Sequence, residues 1–215
     1  MRDFRLDALA AALLPPPPRE AVPESFDAAL HGDHVLSNSS QLLKPKALTP
    51  AAVLVPLVAY PDGTRVLLTQ RQAALRRHSG QISFPGGRLD PGDPDLVYAA
   101  LREAREEIGL DPEHVNVLGA LSTYVTGTGF AIVPIVGVVR PGTALTLHEA
   151  EVAEAFEVPL DFLLNEANHR RDSRTFEGVE REFWAMPYGE RYIWGATAGM
   201  LVNLYEVLAG PSRHA

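Results

Sequence analysis

Four residues in one short run, REAREEIGL, have the types and spacing to do chemistry together: Arg102, Glu103, Glu106 and Glu107. At 100° per residue the three glutamates fall within about 100° of one another on one helix face. Glu103 and Glu107 are then like charges at i and i+4, a repulsion of roughly 0.2–0.5 kcal/mol unless something compensates it. Arg102 can pair with Glu106 at i+4 and take up part of the charge. The rest has two readings, a solvated acidic face or a seat for a hard divalent cation. Carboxylate oxygens suit Mg²⁺ or Mn²⁺, and Mg²⁺ typically keeps waters and shares substrate phosphates.

A helix must carry these residues, and the flanking sequence predicts one over 94–108. Asp93 reads as its N-cap, Pro94 fits the first helical position and Gly109 supplies the stop. Val97, Leu101, Ala104 and Ile108 form the expected core-facing stripe, while Ala99 and Ala100 leave room beside the glutamates. Before the helix stands a turn-rich loop, FPGGRLDPGDPD, from Phe84. AAVLVPLVAY (51–60) and RVLLTQR (65–71) read as two strands of a hairpin closed by YPDGT. NVLGALSTYVT, FAIVPIVGVV and EVAEAFEV read as further strands, LDFLLNEAN as a short helix, REFWAMPYGERYIWG as paired strands and ATAGMLVNLYEVLAG as a last helix. Strands and helices mix without βαβ alternation, so the expected class is α+β, a mixed sheet flanked by helices.

Composition narrows the function classes. The chain has 215 residues, 46% hydrophobic and 21% charged, enough for one ordinary domain with a sizeable core. Its net charge of −8 argues against sequence-independent nucleic-acid binding, which needs a basic footprint. An anionic substrate would need a local remedy, either a few arginines or a metal. The absence of cysteine excludes disulfides, thiolate zinc sites and thiol catalysis, and fits a reducing compartment. No G-x-S-x-G elbow for a serine hydrolase occurs. The apolar run 8–14 is too short to span a bilayer, and Asp3 and Asp7 spoil a signal-peptide n-region. Residues 1–45 read as a peripheral extension, a short helix halted by Pro15–Pro18 and then a polar stretch, ahead of a domain over 46–212. The expected location is cytoplasmic, with no membrane partner.

The run GGRLDPGDPDLVYAALREAREEIGL resembles the Nudix box, G-x5-E-x7-REU-x-EE-x-GU with U aliphatic. Gly87 opens it, and Arg102–Ala104, Glu106–Glu107 and Gly109–Leu110 fill its second half. Asp93 replaces the first Glu, one residue further from the Arg than usual. Upstream, LLTQRQAALRRHSGQISFPGG is similar to the signature of coenzyme A pyrophosphatases, LLTxR-[S/A]-x3-R-x3-G-x3-FPGG. Leu67, Leu68, Thr69, Arg71, Arg76, Gly80, Phe84, Pro85, Gly86 and Gly87 match, and Gln72 departs where Ser or Ala is usual. The likeness runs over roughly 48–210.

This resemblance implies the Nudix fold, an α/β/α sandwich, and a metal-dependent pyrophosphohydrolase. The substrate would be coenzyme A or an acyl derivative, cleaved to a 4′-phosphopantetheine and adenosine 3′,5′-bisphosphate. It implies Glu103 and Glu107 as cation ligands, Glu106 as ligand or base-side partner, the Gly87 carbonyl as a further ligand, and Arg102 as their orienting group. Nudix enzymes often recruit a carboxylate from outside the box; Glu151 is the candidate, with Glu149 and Glu154 as rivals. Arg71, Arg76, Arg77 and His78 form the basic patch expected to receive the polyanion. Phe130 and Tyr124 are candidates to line the site, although aromatics in strands are more often core, as Trp194 is read to be. The family also allows a homodimer. Two alternatives stand beside this reading: a hydrolase of another nucleoside diphosphate compound such as ADP-ribose, and a non-catalytic nucleotide-binding domain, which would predict eroded box carboxylates.

Overall fold

The computed structural model describes residues 4–18, 31–36, 47–73, 80–176 and 179–209. The chain begins with α1 (Phe4–Ala12), β1 (His31–Gly32) and α2 (Asp33–Leu36), followed by the hairpin of β2 (Thr49–Tyr60) and β3 (Gly63–Arg71). Two short strands, β4 (Ile82–Ser83) and β5 (Gly86–Arg88), lead into α3 (Leu96–Ile108). Then come β6 (Val115–Ala120), β7 (Tyr124–Val125), β8 (Phe130–Val139), β9 (Val152–Pro159) and α4 (Leu160–Leu163). The described chain closes with β10 (Arg170–Phe176), β11 (Val179–Tyr188), β12 (Arg191–Trp194) and α5 (Ala196–Ala209).

Among the described residues nine strands, β1 to β9, join in one mixed sheet built around β2. Strand β2 runs parallel to β8 from Thr49/Phe130 to Val58/Val139, and antiparallel to β3 and β5 on its other edge. Its apolar run is nearly continuous because both faces are covered. Successive side chains alternate between faces. Val53, Val55 and Leu57 pack with Ala198, Met200, Leu201 and Leu204 of α5. Ala52, Leu54 and Val58 pack with Leu96, Ala99, Ala100, Ala104 and Ile108 of α3. The result is helix, sheet, helix, the α/β/α order expected.

Pro56 lies inside this central strand without breaking it. β5 ends opposite Val53 and β3 begins opposite Leu57, so the missing N–H falls where that edge of β2 has no ladder partner. Into the gap comes the 84–87 loop, with Leu54 N–H donating to the Pro85 carbonyl at 2.9 Å. The interruption therefore seats the glycine loop against the centre of the sheet.

Four expectations need correction. The glutamate helix begins at Leu96, capped by Asp95, whose side chain accepts the Tyr98 N–H at 2.7 Å; Asp93 is not the cap and Pro94 precedes the helix. Its buried face is Leu96, Ala99, Ala100, Ala104, Glu107 and Ile108, with Val97 and Leu101 half-buried at its margin, so Ala99 and Ala100 are core. The segment read as peripheral is partly built in: Leu9 is fully buried among α5 and sheet residues, and Leu14 bridges Ala120. β1 pairs with β7, and Asp33 accepts the Tyr124 hydroxyl and the Gly127 N–H, both at 2.8 Å. Trp194 is half-buried, tilted against Phe183 with the Arg174 guanidinium 5.1 Å above its ring.

Strands β10, β11 and β12 form a separate antiparallel sheet. Its middle strand sends Met186 into the α5-side core, joined by Ile193 of β12. The paired strands within 181–195 were expected; β10 was not, because Arg170 to Thr175 are all exposed and show no apolar alternation.

Candidate active site

Strand β5 meets helix α3 so closely that a side chain on Gly87 would have to displace the Glu103 carboxylate. A Cβ on Gly87 would stand 2.5 Å from Glu103 Oε1 and 2.6 Å from its Cδ. One on Gly86, whose φ is +158°, would stand 2.5 Å from the Ala52 carbonyl oxygen. The glycine pair thus brings the main chain against the carboxylates of α3. At the other end α3 stops at Gly109, left-handed at φ 66°, whose N–H caps the Ala104 and Arg105 carbonyls.

Glu107 is the most constrained of the carboxylates. It is only 5% exposed. Its Oε2 accepts the Gly86 N–H at 3.3 Å, and its Oε1 stands 3.5 Å from Arg71 Nη1. Burial pushes its carboxyl up to about 7; Arg71 and the Gly86 N–H pull it down, and the nearby Glu103 and Glu151 charges add to the rise. Glu103 is half-buried and also raised, chiefly by burial, with Arg102 opposing.

Arg102 organises the other side of the cluster. Nη1 donates to Glu103 at 3.0 Å and to Glu106 at 3.1 Å, and Nη2 donates to the Arg88 carbonyl at 3.2 Å. It is itself gripped by Asp93 through Nε at 2.9 Å and Nη2 at 3.0 Å, a bidentate fork. Asp93 is buried and also accepts the Asp90 N–H at 2.8 Å. The residue read as a helix cap is therefore the anchor of the orienting arginine. That role was hidden because Asp93 and Asp95, on either side of Pro94, are equally good caps by residue type.

Of the carboxylates outside the helix, the sheet selects one. Glu151 Oε2 lies 4.0 Å from Arg71 Nη2, and its charge is felt at Glu107. Glu154 pairs with Arg191 at 2.5 Å, beside Phe156 on the α5 side of β9. Glu149 is exposed and presents its carbonyl to Gln72 Nε2. Phe130 is half-buried, with the Arg88 guanidinium 5.3 Å over its ring. Tyr124 is core, its hydroxyl spent on Asp33. Arg76, Arg77 and His78 lie outside the described residues. Sequence reasoning missed Asp93 as an anchor, the Gly86 N–H and Arg88; a Gly-Gly-Arg run entering an acidic helix was the available signal for the last two.

The residues suit a hard divalent cation. Glu103, Glu106, Glu107 and the Gly87 carbonyl are all oxygen donors, and two of the carboxylates carry raised pKa values because burial is not fully offset. Among the described residues no three acidic or histidine side chains are already gathered as a closed ligand set. Arginines hold the glutamates instead.

Comparison with known proteins gives the family. The family model described as NUDIX domain matches residues 48–178. The chain is 40% identical over 170 residues to the uncharacterized Nudix hydrolase NudL of Cronobacter sakazakii, covering 76% of this chain and 88% of that protein. It is equally identical over 184 residues to a NudL of Klebsiella pneumoniae, covering 83% and 95%. Among solved structures, a MutT/nudix family protein from Enterococcus faecalis superposes with a TM-score of 0.51, 17% identity, and coverage of 86% of this chain and 71% of that one. At that identity the likeness concerns the fold.

Proposed function

The chain belongs to the Nudix hydrolase family, enzymes acting on pyrophosphate bonds, and from that premise we propose that it cleaves the diphosphate of coenzyme A or of acyl-coenzyme A. The products are 4′-phosphopantetheine, or its acyl form, and adenosine 3′,5′-bisphosphate. Glu103, Glu107, Glu106 and the Gly87 carbonyl are the residues that would hold Mg²⁺ or Mn²⁺. When bound, such a cation neutralises phosphoryl charge and lowers the pKa of a coordinated water.

The chain's own residues carry the remaining work. Arg102, locked by Asp93, orients Glu103 and Glu106. Glu151, 43% exposed and beside Arg71, accepts the proton of the attacking water. Water oxygen bonds to one phosphorus, the bridging P–O bond breaks, and the departing phosphate keeps that bridging oxygen. Arg71 supplies positive charge beside the box for the pyrophosphate.

One observation carries the substrate assignment. Arg71, from the coenzyme A-type signature, ion-pairs with Glu107 of the Nudix box and reaches Glu151. The two sequence motifs thus meet in one site, which supports reading the upstream signature as part of the substrate machinery. The test is a panel of coenzyme A, acetyl-coenzyme A, oxidised coenzyme A and ADP-ribose with Mn²⁺ or Mg²⁺, products identified by mass spectrometry, with and without chelator. Chelator-sensitive release of adenosine 3′,5′-bisphosphate is expected. Turnover of ADP-ribose alone would overturn the substrate, and binding without turnover of any compound would overturn the catalytic reading.

A further inference from the structure

Gln72 occupies the position where the upstream signature usually has Ser or Ala, and the structure employs the longer side chain. Its Nε2 donates to the Glu149 carbonyl at 2.8 Å, and its backbone N–H donates to the Glu151 carbonyl, also at 2.8 Å. Ala at this position offers no side-chain donor, and Ser a shorter one. The same segment is pinned at its other side to the last turn of α3. Thr146 N–H donates to the Ile108 carbonyl and His148 N–H to the Glu107 carbonyl, each at 2.9 Å. A turn closes between them, with Glu151 N–H and Val152 N–H both reaching the His148 carbonyl at 2.9 Å.

Glu151 hangs in this suspended turn. Among the described residues its carboxylate makes only long contacts, 4.0 Å to Arg71 and 3.5 Å to His148 Nδ1. Contacts that long do not fix a side chain that is 43% exposed. The backbone must do so: the β3–β9 ladder ends at Arg71/Val152, and beyond it the Gln72 side chain adds a further tie, to the Glu149 carbonyl on the far side of Glu151.

We propose that Gln72 is a positioning residue that holds the 148–152 turn so that the Glu151 carboxylate faces Arg71 and Glu107. This rests on the reading of Glu151 as the assisting carboxylate. Gln72 touches no reacting atom; it acts through Glu151.

The test is a mutant cycle in the full chain, on whichever pyrophosphate substrate the wild type turns over, at saturating Mn²⁺. Gln72→Ala removes the side chain, and Gln72→Glu keeps its shape while replacing the donor by an acceptor. Losing one positioning hydrogen bond is expected to lower kcat about fivefold to tenfold in each, with KM within about twofold. The Glu151 and Val152 amides should exchange faster in both. In a Glu151→Gln background, adding Gln72→Ala should cost nothing further, since the group it positions is already gone. Full additivity would overturn the proposal, as would an unchanged kcat in Gln72→Ala beside a slow Glu151→Gln. A full rate in Glu151→Gln would instead remove the assisting role itself, and the proposal with it.

Discussion

The Glu107 carboxylate sits where folding alone would not put it, and that has a measurable consequence. Its pKa is raised from 4.5 to about 7, with burial the largest cause and Arg71 and Gly86 offsetting only part. The folded protein therefore holds this proton more tightly than the unfolded chain does. The stability linked to it is fully present below about pH 4.5, the unfolded value, and is lost as pH rises through the folded value near 7. A rise of that size, at 1.36 kcal/mol per pKa unit, corresponds to about 3 kcal/mol at pH 8. The figure is already net of the Arg71 and Gly86 contacts, since both lower the pKa.

Glu107→Gln cannot ionise and should be free of this cost. In chelator, urea unfolding should show the wild type losing stability between pH 5 and 8 through this group while the variant does not. At pH 8 the variant should be the more stable by up to about 3 kcal/mol. Added Mn²⁺ should reverse the order once it reaches about 1,000 times its Kd, where a ligand stabilises the protein that binds it by about 4.1 kcal/mol. The same substitution should remove most of kcat. If Glu107→Gln is less stable than wild type at pH 8 in chelator, the carboxylate is a structural ion-pair member and not a strained site awaiting a cation.

Asp93→Asn should leave Arg102 without its bidentate anchor; because Arg102 keeps Glu103, Glu106 and some solvent, a loss of about 2–3 kcal/mol by urea denaturation is expected, short of a fully buried pair. It should also lower kcat. Gly87→Ala places a methyl 2.5 Å from Glu103 Oε1; the fold should survive because a side-chain end can move, while kcat and Mn²⁺ affinity fall about tenfold or more. Arg71→Ala should chiefly raise KM for coenzyme A, and a kcat defect with unchanged KM would assign it to the catalytic step instead. Leu9→Ala should destabilise by about 2–5 kcal/mol; an unchanged unfolding midpoint would return α1 to the periphery.

What was legible in the sequence tracks how local the governing physics is. The register of Glu103, Glu106 and Glu107 on one helix follows from spacing, and so does the hairpin of β2 and β3, where an apolar β-rich run meets a two-residue turn. The start of α3 was not legible. Asp93 and Asp95 have the same capping chemistry, and the choice between them is made by Arg102, nine residues on, which recruits Asp93 for its own charge. β10 carries no apolar pattern at all and exists because β11 pairs with it from Arg170/Ala185 to Phe176/Val179. The three rival glutamates outside the box differ in nothing the sequence displays. Pleat and pairing separate them, sending Glu154 to Arg191 and leaving Glu151 beside Arg71.

The two arginines that neutralise the acidic cluster are not equivalent, and their geometry says how the site can change partners. Arg102 is held by contacts of 2.9–3.1 Å to three carboxylates, with a buried bidentate partner behind it. Its pKa is raised further, mainly by the Asp93 hydrogen bonds. Releasing it would strand Asp93 in the interior, so it stays. Among the described residues the Arg71 side chain makes only long ion pairs, 3.5 and 4.0 Å, and its buried Nε has no hydrogen-bond partner. An arginine with a spare donor and weak ion pairs loses little by turning toward a phosphate, which can take two of its N–H groups at once. In the proposed mechanism Arg102 therefore preserves the arrangement of the carboxylates through turnover, and Arg71 is the group that would exchange a carboxylate for the substrate.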